Sequence, residues 1–364
     1  MLSPDFVREY LLAHLSGTLP PRPAATPIPA DKGAHPKVLA LDCNMWIALS
    51  RSHYERPDAT REAKTALDAI RTAIASGRLV VVFTLANAVE TAAVKDGARR
   101  ERLAGFIVDL SNNHGLAAPT LVRSLEARAA VAAYLTDGEP APVRPMTIGV
   151  GLRALFGDAS SAEAQAVGAL VKRTMGSADV LAGLMESPRA TVEFFVEGMR
   201  ADGAVQYDRQ REARATQLIQ ASRETDARMP ERDRRRANLA NMWDHASTEP
   251  VRNALREAGS DAGVFKAWLD EGDHLFDFWD AVPTMHVQSV LEGRASTNPQ
   301  RRIAANDLRD VEFYQVAIPY ANVVATEKHW ASLIKHTKLD AHYGTRIVKD
   351  LADLPDALRA EGCL

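Results

Sequence analysis

Apolar residues recur along this chain with two different periods, and each period predicts the element it belongs to. In residues 5–15, Phe6, Tyr10, Leu11, Leu12 and Leu15 fall at helical spacing, and Ser16-Gly17 supplies the stop. Pro20 to Pro29 carries too many prolines for a helix or a central strand and reads as a semi-extended linker. Val38-Leu39-Ala40-Leu41 is then a short continuous apolar run closed by Asp42. That is the pattern of a strand buried on both faces with a carboxylate at its C-terminal end. Met45, Trp46, Ile47 and Leu49 open a helix. Residues 61–76 form an amphipathic helix through Ala63, Ala66, Leu67, Ile70 and Ile74, terminated by Gly77. Leu79-Val80-Val81-Val82-Phe83-Thr84 repeats the buried-strand pattern with β-branched residues. It leads into a helical segment at residues 87–91 and a further helix over about 99–112.

From about residue 120 to 298 the period is helical and predicts no strand. The expected helices are 121–134, 162–175, 178–185, 190–199, 207–228, 231–245, 250–258 and 264–269. Alternation of strand and helix resumes at Asn306, where a helix runs through Val316, Ala317 and Ile318 and is expected to stop at Pro319. Val323-Val324-Ala325 reads as a buried strand ending in Thr326-Glu327, and Arg346-Ile347-Val348 as a last strand. Such alternation predicts an α/β fold with a parallel, doubly wound sheet. The tail after Asn306 is too short to fold alone. The expected organisation is therefore one split domain: an N-terminal helix and Pro-rich linker over 1–34, a first half over 35–119, an all-helical insertion over 120–299 and a second half over 300–364.

Composition narrows the partners. With 364 residues, 46% of them hydrophobic, the chain can bury a sizeable core, and 25% charged residues is ordinary for a soluble protein. The formal charge of −3 gives no global basic signal, so a nucleic acid has to be held by local patches. Ten His and two Cys, Cys43 and Cys363, supply neither a zinc finger nor a disulfide framework. No apolar run approaches the roughly 20 residues that span a bilayer. The start Met1-Leu2-Ser3-Pro4-Asp5 lacks the pattern of a secretory signal, so the expected compartment is the cytoplasm.

The acids at predicted element ends carry the candidate chemistry: Asp42 after the first strand, Glu90 after the second, Asp307 and Asp310 early in a helix, and Glu327 after the later strand. Asp307 and Asp310 stand at i and i+3, on one helical face. In an open parallel sheet, sites form outside the carboxyl ends of the strands where strand order reverses. Four or five carboxylates gathered there repel one another unless cations neutralise them. An all-oxygen set suits Mg²⁺ or Mn²⁺, and phosphodiester hydrolysis is the natural reaction. Each acid also has a structural reading. Asp42 is a candidate helix N-cap, with Asn44 either competing for that cap or bonding the first acid. Glu90 is a candidate for a solvated helix face. Asp307 competes with Asn306 to cap its helix, and Thr326 is a candidate cap for the next one. Arg301-Arg302, just before the acidic helix, reads as a phosphate contact. The runs at 99–102 and 232–236 read as solvated faces, and Asp270, Glu271, Asp273 and His274 as a polar turn. Trp243, Trp268 and Trp279 read as core of the insertion. Trp330, beside His329, reads as a buried helix face, with base stacking as the other option. Cys43 reads as a core thiol.

These motifs resemble the PIN-domain (PilT N-terminus-like) nucleases. The likeness runs through Leu39-Ala40-Leu41-Asp42-Cys43-Asn44, Glu90, Asp307-Leu308-Arg309-Asp310 with Val316-Ala317, and Val323-Val324-Ala325-Thr326-Glu327. It covers roughly residues 36–118 and 300–352. It implies a parallel sheet flanked by helices in three layers, dependence on Mg²⁺ or Mn²⁺, and endonucleolytic cleavage of RNA, with DNA as the other candidate substrate. Asp42, Glu90, Asp307, Asp310 and Glu327 would be the metal-binding and catalytic acids, supported by Asn44 and Thr326. A toxin and an RNA-processing factor are both consistent with it. The insertion would then shape substrate access or form a homodimer or protein contact. One departure stands out: the family usually places an aspartate after the threonine with one residue between. Here Glu327 follows Thr326 directly and Lys328 takes the next position. That departure supports a second reading, a catalytically impaired nucleic-acid-binding or scaffold protein. A dehalogenase-type phosphatase ranks last, because its general acid would fall at Asn44.

Overall fold

Four apolar runs scattered over the chain become neighbours in one sheet. The computed structural model describes residues 2, 4–19, 25–157, 178–201, 210, 228–244, 249–297 and 305–364. Among these, six strands form: β1 (Lys37–Leu41), β2 (Leu79–Val82), β3 (His114–Leu116), β4 (Ile148–Val150), β5 (Val323–Ala325) and β6 (Arg346–Val348). The main sheet runs β2-β1-β5-β6, and every pair in it is parallel. Leu39 lies opposite Val81 on one side and Val323 on the other. The pleat sends alternate residues to opposite faces. Leu39, Leu41, Val81 and Val323 enter one core with Trp46, Ile70 and Phe106, while Val38, Ala40, Val82 and Val324 enter another with Tyr314, Ile318 and Trp330. Helices cover both faces, which is why these strands read as unbroken apolar runs.

The helices that matter here are α1 (Pro4–Leu15), α2 (Cys43–His53), α3 (Arg61–Ala75), α4 (Leu85–Ala92), α5 (Gly97–Leu110), α6 (Pro119–Thr136), α7 (Pro283–Thr297), α8 (Ala305–Tyr320) and α9 (Lys328–His336). Capping chemistry sets several of their starts. Thr60 caps α3 through Ala63 N–H, and Asp96 caps α5 through Arg99 N–H. The N-terminal helix α1 docks through Phe6 and Val7 into the same core as Trp46. Among the described residues no helix is long and apolar enough to cross a membrane.

Three expectations are corrected. The first concerns β4, which lies inside the stretch predicted to be all-helical and pairs antiparallel with β3. Three residues, one of them glycine, are too few to display an alternating pattern. β3 is in turn attached to the end of β2 by a bridge between Phe83 and Gly115. A Cβ at Gly115 would stand 2.7 Å from Phe83 Cε2, so the close approach requires glycine. Secondly, α8 runs one residue past Pro319, because a proline in the last turn removes only one ladder bond. Finally, the helix expected over 190–199 is an α segment (Pro188–Glu193) followed by a π turn (Phe194–Gly198). The helices expected at 162–175 and 207–228 lie outside the described residues, as do Arg301, Arg302 and the side chain of Trp243.

The long excursion between the two halves of the sheet is not held apart from it. Val122 on α6 and Val287 and Leu291 on α7 share the core containing Ile318 and Trp330. The opposite side of α6, through Ala127, Ala130 and Val131, joins a third core built on Leu255, Phe265, Leu269 and Trp279. Trp268 packs against that core, as the sequence predicted for it and for Trp279.

Candidate functional site

Strand order reverses between β1 and β5, since β2 lies on one side of β1 and β5 on the other. Asp42 follows β1 directly, and its backbone N–H donates to Ala325 O at 3.0 Å, which ties the two strand ends together. Its side chain completes the tie. Oδ1 accepts from Met45 N at 3.0 Å, making Asp42 the N-cap of α2, and Oδ2 accepts from Glu327 N at 2.9 Å. The cap reading and the site reading therefore describe the same residue, and Asn44 is left exposed on the first turn. Burial pushes the Asp42 carboxyl up from its ordinary range. The bonds from Met45, Thr326 and Glu327 oppose that shift, and the nearby Glu327 charge adds to it.

Glu90 arrives from α4, whose start is fixed by a capping box between Thr84 and Asn87. Asn87 Nδ2 also donates to Leu41 O at 3.3 Å, fastening α4 to the end of β1. The Cys43 thiol is bonded to Glu90 and is pushed well above its ordinary range, by burial first and then by the Glu90 charge. It stays a protonated thiol, in keeping with the reading as a core residue.

Asp307 and Asp310 come from the first turns of α8, with Asp307 buried. Asp310 Oδ2 accepts from Trp330 Nε1 at 2.8 Å. Burial raises the Asp310 carboxyl to about 7, helped by the charges of Glu90, Asp42 and Glu327 and opposed by the Trp330 bond. That set of causes is a map: carboxylates from α4, from the end of β1 and from the end of β5 all act on one group of α8. Glu327 is the exposed N-cap position of α9 and makes no side-chain cap bond there. Thr326 is fully buried, bonded to Asp42 and to the Tyr314 hydroxyl, so it supports the strand end and does not cap α9.

Asp42, Glu90, Asp307, Asp310 and Glu327 line a single cleft of about 470 Å³, with Asn44, Cys43, Arg309 and Phe313 in its walls. Comparison with protein-family models, with curated proteins and with solved structures finds no match for this chain. The cleft's donors are hard carboxylate oxygens, the type that Mg²⁺ and Mn²⁺ take, and the charges of Glu90, Asp42 and Glu327 add to burial in raising Asp310. The spacing is open: among the described residues no three acid, histidine or cysteine side chains stand as a group that could hold a metal ion.

Four residues make contacts in the site that the sequence reading did not assign. Arg309, buried between the two aspartates of α8, adds a positive charge to the cleft wall. Between two acids on a helix it looks like an ordinary surface pair, and no local signal marks it as buried. Trp330 was expected to be a buried helix face, and it is, but its indole N–H reaches Asp310. Tyr314 bonds Thr326 from α8, a contact no spacing announces. Asn87 stands three residues after Thr84, which is a capping signal and was legible. Two basic runs expected to be solvated are partly turned inward. Arg100 is buried, donating to Val94 O at 2.8 Å and pairing with Glu197 at 3.2 Å. Arg234 is buried too, while Arg232 and Arg235 pair with Asp273 and Asp280. His329 is exposed on α9.

Proposed function

We propose that this chain is a PIN-like endoribonuclease that depends on Mg²⁺ or Mn²⁺ and hydrolyses RNA phosphodiester bonds. The observation that carries the reading is the convergence of Asp42, Glu90 and Asp310, from three separate segments, on one cleft at the point where strand order reverses. Ligands at the carboxyl edge of an open parallel sheet are expected there. An ion entering the cleft would have to draw the spread carboxylates of Asp42, Glu90 and Asp310 together as its ligands, with Asp307 and Glu327 at the margins of the same cleft. When bound, such an ion acidifies a water and stabilises charge on the attacking and leaving oxygens. The chain's own residues hold the frame. Asp42 is fixed by bonds from two backbone N–H groups, Trp330 orients Asp310, and Thr326 with Tyr314 braces the end of β5. In this reading residues 35–119 and 300–364 form the nuclease core.

The test incubates the protein with labelled single-stranded RNA, structured RNA and single-stranded DNA, in Mn²⁺ or in EDTA. RNA cleavage that needs Mn²⁺ and falls at least about a hundredfold in Asp310→Asn and Asp42→Asn is the expected result. Cleavage that ignores EDTA, or survives both substitutions, rejects it. The open spacing of the acids favours a second reading, a scaffold that keeps the fold without the chemistry. Calorimetry separates the two, because the nuclease binds Mn²⁺ in a way that Asp310→Asn abolishes and the scaffold does not.

A further inference from the structure

Beside the acidic cleft lies a second, smaller groove of about 140 Å³, between the C-terminal part of α2 and the start of α5. Ile47 lines both, so the two are contiguous. Where the first is a wall of carboxylates, the second is lined by Arg51, Arg56, Arg99 and Arg102. All four are exposed. Its single carboxylate, Asp58, pairs with Arg51 at 3.3 Å. Arg51 stands one turn beyond Ile47 on α2, and Arg99 and Arg102 stand at i and i+3 on α5, so both helices turn their guanidinium groups to one side. Tyr54 sits among them, 38% exposed, and its hydroxyl donates to Arg102 O at 3.1 Å, which fixes the ring at the groove.

We infer that this groove holds the phosphodiester backbone of a single-stranded nucleic acid, with a base stacked on Tyr54. The inference rests on the nuclease reading for its substrate class but not for its charge argument. A polyanion approaching five carboxylates on a chain of net charge −3 is repelled unless a local cationic surface holds it. Arginine forks suit phosphate oxygens, and a fixed aromatic face accepts any base. A strand lying in it would reach the acidic cleft past Ile47, the residue that both share.

The experiment measures anisotropy of a labelled oligouridylate with the full chain in EDTA, where cleavage cannot intervene, across a salt series. The double variant Arg99→Glu/Arg102→Glu is expected to weaken binding at least tenfold. It should also flatten the salt slope by about 1.4, the share of two phosphate contacts on a single strand. Tyr54→Ala is expected to lose about tenfold, and Tyr54→Phe, which keeps the ring and loses only the bond to Arg102, to lose less. Arg128→Glu, a charge change at an exposed arginine on α6, is the control and should bind normally. Circular dichroism and melting confirm that each variant is folded. Wild-type affinity in a folded double variant overturns the groove, as does tighter binding of a duplex than of the single strand. Binding that the groove variants abolish, without any cleavage in Mn²⁺, leaves the groove standing and removes the nuclease. Cleavage that Asp310→Asn abolishes but the groove variants leave untouched does the reverse.

Discussion

Asp42 does two jobs with two oxygens, and its variants separate them. One oxygen caps α2 and the other accepts the Glu327 N–H across the β1–β5 junction. Asparagine is as good an N-cap as aspartate, whereas alanine removes the cap and orphans both N–H groups. Asp42→Ala is therefore expected to cost about 2 kcal/mol in urea denaturation, and Asp42→Asn much less, although both should abolish cleavage. Equal stability loss in the two would show that the cap is not what holds this corner. Tyr314→Phe probes the brace on the other side. It removes the hydroxyl bonded to Thr326 and keeps the ring, so a loss of about 1 kcal/mol is expected by the same measurement. These roles were half-legible. Asp42 at the end of an apolar run announced a cap or a site, but nothing local said that its second oxygen would meet residue 327.

At the scale of elements, α4 shows how a short helix aims a side chain. Its capping box ties its first turn, and the Asn87 amide reaches over to Leu41 O, so the helix cannot rotate about the end of β1. Glu90 projects into the cleft as a consequence. Asn87→Ala is expected to lower stability by about 1–2 kcal/mol and to reduce cleavage, while Asn87→Gln, which keeps the polar group at the wrong length, should recover little of either. Chemical denaturation and the RNA assay read the two effects separately. The same scale explains what could be foreseen. β1, β2 and β5 are buried on both faces, so their apolar runs stood out. β4 has only Ile148 and Val150 to show for itself and depends on pairing with β3, and the proline of α8 falls where a helix tolerates it.

Across the whole molecule, Glu126 stitches the excursion to the sheet domain. It sits on α6, accepts from the Thr284 backbone N–H at 3.1 Å and from the Thr284 hydroxyl on α7, and takes the Tyr320 hydroxyl from the end of α8. Burial raises its carboxyl to about 7, against bonds from Thr284 and Tyr320 that lower it. The unfolded chain releases that proton near 4.5. Between about 4.5 and 7 the folded state thus holds a proton the unfolded state has lost. Its contribution to stability is complete below about 4.5 and disappears as pH rises through about 7. The amount is on the order of 3 kcal/mol. His286, lowered to about 4 by burial, slopes the other way between about 4 and 6.5, so the total curve mixes signs. Subtracting the Glu126→Gln curve from the wild-type curve isolates the effect. The difference should fall between about pH 4.5 and about 7 and level off above that, and a flat difference would mean that Glu126 is ionised in the fold.

By itself the sequence determined that strands and helices alternate at both ends of the chain, that three apolar runs are buried on both faces, and that acids follow them. Those are local properties, set by side-chain periodicity and by what each residue does to its own backbone. Tertiary structure alone decided that β5 would lie against β1 with more than 280 residues between them, because pairing of distant strands depends on the packing of everything in between. The same long-range packing buried Arg309 among acids, brought Trp330 to Asp310, and placed four exposed arginines beside the carboxylate cleft. A contact across the fold has no period, so no window along the chain contains it.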